Sequence, residues 1–299
     1  MKRVSSLLGL GVLSISLAAP LFKLSEPTHP LVASAFRLTV AGLLWLPWFL
    51  YSTKTTSRQT KVMIRIGVLG ALCYALHFGS WVWSLSLTST TASVTLVTTT
   101  PLMLGLVGWI TQKDAPHSTL WKGMIWASCG VCLLGITQMS FVASADGPSS
   151  SMSSDSLLGY GLALIGGLAM AVYLWLVRSV QHDLHLPLLS LLLTLGGGGL
   201  LWLSCFFMEI PFLIPSQQAF WALIGAACIP QLIGHTALTW SLKYATPTEV
   251  GLATVAEPVG ASLCTWLIFN EIPSWGEGVG SMLILIGVYT VINTDVSTR

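Results

Sequence analysis

The chain has 299 residues, of which 54% are hydrophobic and only 8% are charged. Soluble domains carry about 25% charged residues, so a water-soluble fold could not cover this much apolar surface. The formal net charge of +2 is too small for an electrostatic nucleic-acid footprint, and no nucleic-acid-binding motif occurs. We therefore expect an integral membrane protein with the lipid bilayer as its surroundings and no nucleic-acid partner.

Ten apolar segments are each long enough to cross a bilayer as a helix, which takes about 20 residues. The sequence therefore predicts an all-α integral membrane protein with ten transmembrane helices, called spans 1 to 10. Their predicted bounds in chain order are Val4–Leu24, Leu31–Tyr51, Met63–Leu85, Ala92–Thr111, Leu120–Met139, Leu157–Val180, Leu186–Met208, Ala219–Leu242, Val250–Phe269 and Gly276–Ile292.

Span 1 begins like a secretory signal peptide, because Lys2 and Arg3 precede an apolar run that ends in LAAP. The run is long for the apolar part of a signal peptide. The triplet LLG at Leu7–Gly9 also recurs at Leu157–Gly159, so span 1 has a counterpart in span 6. We expect span 1 to remain in the protein, with cleavage as the alternative.

Spans 2 to 5 recur in spans 7 to 10 at a fixed distance of 157 residues. The matching pairs include Pro30 with Pro187, Gly42–Leu46 with Gly199–Leu203 (both GLLWL), Trp83-Ser84-Leu85 with Trp240-Ser241-Leu242, and Pro101 with Pro258. Internal duplication in an apolar chain is typical of secondary transporters. The predicted domains are a first five-helix repeat at 1–139, an extracytoplasmic serine-rich linker at 140–156 and a second five-helix repeat at 157–299.

The basic residues predict the orientation, because cytoplasmic loops of membrane proteins are rich in Lys and Arg. With a cytoplasmic N-terminus, Lys23 alone falls outside, Arg37 lies within a span, and the others fall at the cytoplasmic side. Both termini are then cytoplasmic in a bacterial inner (plasma) membrane. Each repeat has an odd number of spans, so the second copy must enter the bilayer upside down. The ten helices thus form two inverted five-helix repeats.

Inverted repeats predict transport by alternating access, because two copies that exchange conformations open a shared midplane site to either side. The predicted function is secondary active transport of a small molecule, without enzymatic activity. A passive channel and a polytopic membrane enzyme acting on lipid are the alternatives. The sequence carries no HExxH motif and no Ser/His/Asp set at a workable depth for such an enzyme.

The chain resembles the EamA-type ten-helix exporters of the drug/metabolite transporter superfamily. The resemblance is carried by HPLVASAFRLTVAGLL in span 2, with Arg37, and by WSLSLTSTTASVTLVTTTPLMLGLVGWITQKD in spans 3 and 4. It is also carried by WSLKYATPTEVGLATVAEPVGASLCTWLIFNE in spans 8 and 9. It implies export of amino acids or related small amphipathic metabolites. Proton coupling, homo-oligomerisation and the substrate's identity stay open.

Ionisable side chains within spans are the candidates for substrate binding or coupling, since such groups usually face protein or a watery cavity. Glu257 lies beside Pro258 in span 9, where it could hold a proton or a cationic substrate group. His77 and His235 lie in the corresponding spans 3 and 8, and histidine switches most easily near neutral pH. The remaining predicted cavity residues are Trp81, Thr100, Tyr173 and Gln231, with Thr100 as the repeat mate of Glu257. Bonded, purely structural roles are the alternatives.

Four prolines are predicted to interrupt spans and act as hinges: Pro20, Pro101, Pro230 and Pro258. Static kinks are the alternative. No cofactor and no metal site is expected, because the cysteines lie within apolar runs and the HxxH at His182–His185 has no further ligands.

Two groups of residues are predicted to lie at the headgroup regions. Lys23, Glu26 and Arg37 are expected to snorkel at the outer ends of spans 1 and 2, with an outer ion pair as the alternative. Trp45 and Trp48 are expected as interfacial anchors or lipid contacts.

Overall fold

The computed structural model describes residues 2–52, 57–88, 90–112, 121–130, 132–133, 136, 154–180, 185–270, 275–276, 278–280, 282–283, 285–287 and 290. The described residues are helical or lie in short connections, and they contain no strand. Most of the predicted linker at 140–156, the end of span 5 and parts of span 10 lie outside the described residues.

The helices follow the predicted spans closely. In chain order they are α1 (Lys2–Ile15), α2 (Ala18–Leu24), α3 (Pro30–Tyr51), α4 (Ser57–Leu87), α5 (Thr90–Val97), α6 (Thr100–Gln112), α7 (Ser154–Arg178), α8 (Leu186–Phe207), α9 (Gln217–Ala226), α10 (Thr236–Ser241), α11 (Pro247–Thr254) and α12 (Glu257–Phe269). A π-helix, Ala227–His235, joins α9 to α10. Residues 121–130 are also helical.

Seven helical segments of the described chain are long and apolar enough to cross a membrane. They correspond to spans 1, 2, 3, 6, 7, 8 and 9 and run over Val4–Leu24, Pro30–Tyr51, Thr60–Leu87, Leu157–Arg178, Leu186–Phe207, Gln217–Ser241 and Glu249–Phe269. Shorter apolar helices occur at Ser93–Leu104 in span 4 and at Gly278–Gly287 in span 10. The full set of ten remains a prediction.

Helix starts are encoded locally. The His29 Nδ1 atom accepts a hydrogen bond from the Leu31 backbone N–H at 3.3 Å, and Pro30 occupies the first helical position, where its missing N–H has no cost. His185 caps α8 in the same way, by accepting from the Leu188 N–H at 3.3 Å. These caps supply acceptors for N–H groups that have no partner within the helix.

Spans 1, 4 and 9 are each broken two to four residues before a proline. The breaks lie at residues 16–17, 98–99 and 255–256, ahead of Pro20, Pro101 and Pro258. A proline removes one backbone donor and so leaves the carbonyl four residues before it without its usual partner. At Pro101 this is the Val97 carbonyl, and Thr100 Oγ1 donates to it at 2.9 Å.

The duplicated sequence has produced a duplicated backbone. The bounds of α5 and α6 in span 4 coincide at both ends with those of α11 and α12 in span 9 after a shift of 157 residues. Both copies therefore place a break at the same point. Helix α5 contacts α12, while α6 contacts α11, so spans 4 and 9 cross with opposite chain directions.

The core forms where the two copies meet. Helix α3 packs most extensively on its repeat mate α8, and α4 packs on both α7 and α8. Small residues permit the closest approaches, because a Cβ added to Gly167 of α7 would lie 2.8 Å from the Val97 carbonyl oxygen at the end of α5. This contact brings the break in span 4 against span 6.

Candidate functional site

A cavity of about 50 Å³ lies between the breaks of spans 4 and 9. Five of the seven predicted binding or coupling residues line it, namely His77, Thr100, Tyr173, His235 and Glu257. The other lining residues are Ile15, Tyr74, Val97, Thr98, Met170, Leu174, Leu238, Thr239, Val250 and Thr254. The cavity has room for only a few water molecules, because one water needs about 10–15 Å³ of such volume.

His77 is held by span 6. Its Nδ1 atom lies 2.9 Å from the Gly166 carbonyl oxygen, which can only accept, so Nδ1 carries the proton. In the neutral ring, Nε2 then presents a lone pair. The His77 and His235 ring centroids are 6.4 Å apart, which places two imidazoles from spans 3 and 8 side by side at the cavity.

Thr100 and Glu257, the repeat mates, both line this cavity but make different contacts. Thr100 Oγ1 lies 2.9 Å from the Val97 carbonyl oxygen and 3.2 Å from that of Gly167, and it donates to these acceptors. Glu257 is half-buried at the first residue of α12, immediately before Pro258. One copy thus presents a bonded hydroxyl where the other presents an ionisable acid.

Two tyrosines, Tyr74 and Tyr173, form part of the cavity wall. The Tyr74 and Tyr173 ring centroids are 5.0 Å apart in an edge-to-face arrangement, and the Tyr173 hydroxyl lies 3.4 Å from Thr239 Oγ1. Both rings are almost completely buried. Edge-to-face packing fixes their positions while their hydroxyls remain polar groups of a mainly apolar cavity.

Two predicted site residues, Trp81 and Gln231, lie beside the cavity without lining it. Trp81 stacks on the His77 ring with centroids 6.0 Å apart. Gln231 lines a smaller neighbouring pocket together with His235 and Thr239, as its i, i+4, i+8 spacing predicts. Its buried Oε1 atom has no hydrogen-bond partner among the described residues.

The four predicted hinge prolines all lie at irregular points of the described chain. Pro101 and Pro258 stand at the second position of α6 and the second position of α12, and Pro20 lies within the short helix α2. Pro230 lies within the π-helix, where the ordinary helical bonding pattern is lost. Their function as hinges stays a prediction.

The predicted headgroup location of Arg37 was wrong. Its side chain is fully buried, with Cζ 4.4 Å from the Phe78 ring centroid and 5.4 Å from that of Phe22. Its three guanidinium nitrogens have no hydrogen-bond partner among the described residues. Trp45 is also buried, against the predicted anchoring role, whereas Trp48 is exposed. Hydropathy gives the depth of a residue along a span but not which neighbour it faces.

Comparison with known proteins places the chain in a family. The EamA-like transporter family matches it twice, over residues 4–136 and 157–293. This chain belongs to the EamA-like transporter family. It is therefore a multi-pass membrane transporter of the drug/metabolite type, as the resemblance in spans 2, 3, 4, 8 and 9 indicated.

One protein of known crystal structure has the same fold as this EamA-like transporter. It aligns over 97% of this chain and 96% of its own, with a TM-score of 0.75 and 17% sequence identity. The overall fold therefore occurs in an experimental structure as well.

The cavity of this EamA-like transporter is lined by ionisable and hydroxyl side chains. Three or more His, Cys, Asp or Glu side chains do not come together within the described ranges. Sequence reasoning did not single out Val97 or Thr254, which line the cavity. They are repeat mates, three residues before Thr100 and Glu257, so the 157-residue shift could have found them as a pair.

Proposed function

We propose that this transporter is a secondary carrier that moves amino acids or related small amphipathic metabolites out of the cell by alternating access. In this proposal it has no enzymatic activity and needs no cofactor. The observation that carries the proposal is one small cavity placed where two broken, repeat-related spans cross. Discontinuous helices at a repeat interface are the usual setting of substrate sites in carriers.

The opposite directions of spans 4 and 9 support the inverted arrangement of the two copies. If the repeat-related spans 4 and 9 run in opposite directions through the membrane, the two copies are related by a twofold axis in the membrane plane. Together with the basic residues, this supports cytoplasmic N- and C-termini in a bacterial inner membrane, with the 140–156 linker outside.

The hinges connect this arrangement to alternating access. Pro101 and Pro258 lie beside the breaks of spans 4 and 9, so each half-helix could rotate without breaking a continuous hydrogen-bond ladder. The present cavity is too small for a metabolite. A substrate-bound state must therefore be wider, and rotation of half-helices at the breaks provides that opening.

Proton coupling is assigned to Glu257 with His77 and His235 as neighbouring proton carriers. All three line the cavity, and they come from spans 9, 3 and 8. An acid within a membrane span is kept for a functional reason more often than for stability, because burying it is costly.

Counterflow tests the carrier directly. Purified protein in liposomes should accelerate uptake of a labelled amino acid when the same unlabelled amino acid is trapped inside. Acceleration should vary across a set of amino acids and related metabolites. Uptake that is fast but indifferent to trapped solute would indicate a channel, and chemical conversion of the label would indicate an enzyme. Either result would contradict the proposal.

A further inference from the structure

Arg37 is a buried cation without a hydrogen-bond partner in the described structure. It is fully buried in α3, and its Nε and both terminal nitrogens are unpaired. A guanidinium stays charged at all relevant pH values and has five N–H donors, so it cannot relieve this by losing a proton. Such an arrangement is costly, because a buried charge loses its hydration and gains no hydrogen bonds in return.

Aromatic rings account for part of the stabilisation of Arg37. Phe78 and Phe22 approach its Cζ at 4.4 and 5.4 Å, which are cation–π distances. A ring attracts the charge but accepts no ordinary hydrogen bond, so the donors remain unused. Carboxylates are the groups whose two oxygens match the fork of a guanidinium.

Phe78 contacts both Arg37 and the histidines of the cavity wall. Its ring centroid lies 5.1 Å from the His235 ring and 4.5 Å from the His77 ring, and both histidines line the cavity. The Arg37 Cζ lies 4.4 Å from the same centroid. One aromatic ring therefore connects the unpaired donors to the wall of the cavity.

Glu257 is the acidic side chain that lines this cavity among the described residues. The charged or titratable side chains around Glu257 in the described chain are Arg37 from α3, Tyr74 and His77 from α4, Tyr173 from α7 and His235 from the π-helix. Helix α5, which contacts α12, has no charged residue. Lys23 of α2 lies over Phe269, at the far end of α12, and the basic residues of α1 are at its start.

The charges balance only for certain ligands. When Glu257 is ionised, it compensates Arg37, so a purely cationic ligand would leave the site with an excess positive charge. A zwitterion adds no net charge. A monoanion adds one negative charge, which is balanced if Glu257 takes up a proton at the same time.

We propose that Arg37 is the specificity-determining residue of the site and binds the carboxylate of the ligand, while Glu257 adjusts its protonation to the ligand's net charge. This rests on the proposed carrier function of the same cavity. For a monoanion, one proton released by the buffer adds to the Glu257 carboxylate as the ligand carboxylate pairs with Arg37, so the net charge of the site is unchanged. For a zwitterion, no proton is taken up.

Binding to purified full-length protein in detergent tests the assignment. The probes are propionate, hexanoate, phenylacetate, leucine and phenylalanine, each compared with its own primary amide by thermal shift. In the natural protein, acids should raise the melting temperature more than amides. Arg37→Met should remove that difference and weaken acid binding by about 30-fold or more. Arg178→Gln, an exposed arginine at the end of α7, is the control that keeps it.

Calorimetry in two buffers of different ionisation enthalpy measures the proton. Phenylacetate or hexanoate should bind with uptake of ~1 proton in the natural protein and none in Glu257→Gln, whereas leucine should bind with none in either. The double variant Arg37→Met/Glu257→Gln, which removes both buried charges, should melt at an unchanged or higher temperature, because replacing both members of a buried charge pair is often neutral or stabilising.

Three results would overturn the assignment. These are equal effects of acids and amides across the whole set, no proton uptake with the monoanions, or a large drop in melting temperature of the Arg37→Met/Glu257→Gln double variant, which would make the two charges structural. The proposed carrier function can fail independently. If acids bind as expected but counterflow is absent, the carrier function is refuted and the role of Arg37 in binding is kept. If counterflow is intact but acids and amides bind alike, the role of Arg37 is refuted and the carrier function is kept.

Discussion

Spans 4 and 9 have the same backbone and different chemistry. Both break at the same repeat position, both resume at the residue before a proline, and both face one cavity. At that residue span 4 has Thr100, whose hydroxyl is bonded to carbonyls of its own span and of α7. Span 9 has Glu257 there, half-buried at the cavity.

Duplication has preserved the backbone of spans 4 and 9 but not all of their side chains. The proline and the break are common to both copies, because they define the geometry of the crossing. The side chain before the proline has diverged. Span 4 has a hydrogen-bonded hydroxyl there, whereas span 9 has an ionisable carboxyl group. Function in this molecule is therefore expected to be asymmetric on a nearly symmetric frame.

The largest expected effect comes from removing the charge in span 9. Glu257→Gln keeps the shape of the side chain but cannot exchange a proton, so flux of a monoanionic ligand driven by a pH gradient should fall at least ~10-fold. Its mate Thr100→Val should keep the pH dependence and lose less than about 3-fold in flux. Transport in liposomes at several imposed pH gradients measures both. Unchanged pH dependence in Glu257→Gln would refute its coupling role.

Removing a hinge proline should have the next largest effect. Pro258→Ala restores a backbone donor, which should let α11 and α12 join, raise the melting temperature and lower counterflow roughly 3- to 10-fold. Pro47→Ala is the matched control, because Pro47 lies within the continuous helix α3, on its exposed side. A Pro258→Ala protein with normal counterflow would leave the break as a static kink.

The close contact between spans 9 and 1 predicts that a larger side chain there lowers the stability of the protein. A Cβ on Gly260 of α12 would lie 2.7 Å from the Ser16 Cβ, so Gly260→Ala should destabilise the protein by about 1–3 kcal/mol. Gly199→Ala is the control, since nothing lies within 4 Å of the added carbon there. Unfolding in increasing SDS compares the two. Equal stability of the two variants would contradict the close approach of spans 9 and 1.

The smallest effect concerns the caps of the repeat-related helices α3 and α8. Partial burial lowers the pKa of His29, and only the neutral ring can accept from the Leu31 N–H. Because the folded pKa lies below the ordinary value of 6.5, this cap stabilises the protein above about pH 6.5 and is lost as the pH falls.

His29→Asn tests the cap, because asparagine accepts at every pH. Between pH 8 and pH 5 the unfolding free energy of the natural protein should fall by ~1 kcal/mol more than that of His29→Asn. His29→Ala should already have lost this amount at pH 8. Identical pH profiles for the natural protein and His29→Asn would show that the cap does not titrate in this range.

Much of the helical frame could be predicted from sequence. Apolar length gave the spans, and the shift of 157 residues gave the equivalence of Pro101 and Pro258, which the matching helix bounds reproduce. Periodicity also grouped Gln231, His235 and Thr239 on one face, and all three line one pocket.

The sequence did not predict which residues face the centre. Arg37 and Trp45 look like interfacial residues by type, yet both are buried, because rotation about the helix axis depends on packing between α3, α4 and α8. Pro230 indicated an irregularity in span 8. The π-helix around it changes how the following residues are rotated about the helix axis, and no local sequence pattern predicts that rotation. Cavity size likewise depends on the break geometry of several spans together.

Sidedness of two equivalent loops tests the inverted arrangement most directly. Ser52 follows α3, and Leu213 lies in the loop after its repeat mate α8. In a chain whose six cysteines are replaced, Ser52→Cys and Leu213→Cys are labelled in intact cells with a membrane-impermeant maleimide. We predict labelling at Leu213→Cys in intact cells, and at Ser52→Cys only after permeabilisation. Labelling of both from the same side would contradict the inverted repeat and the alternating-access carrier built on it.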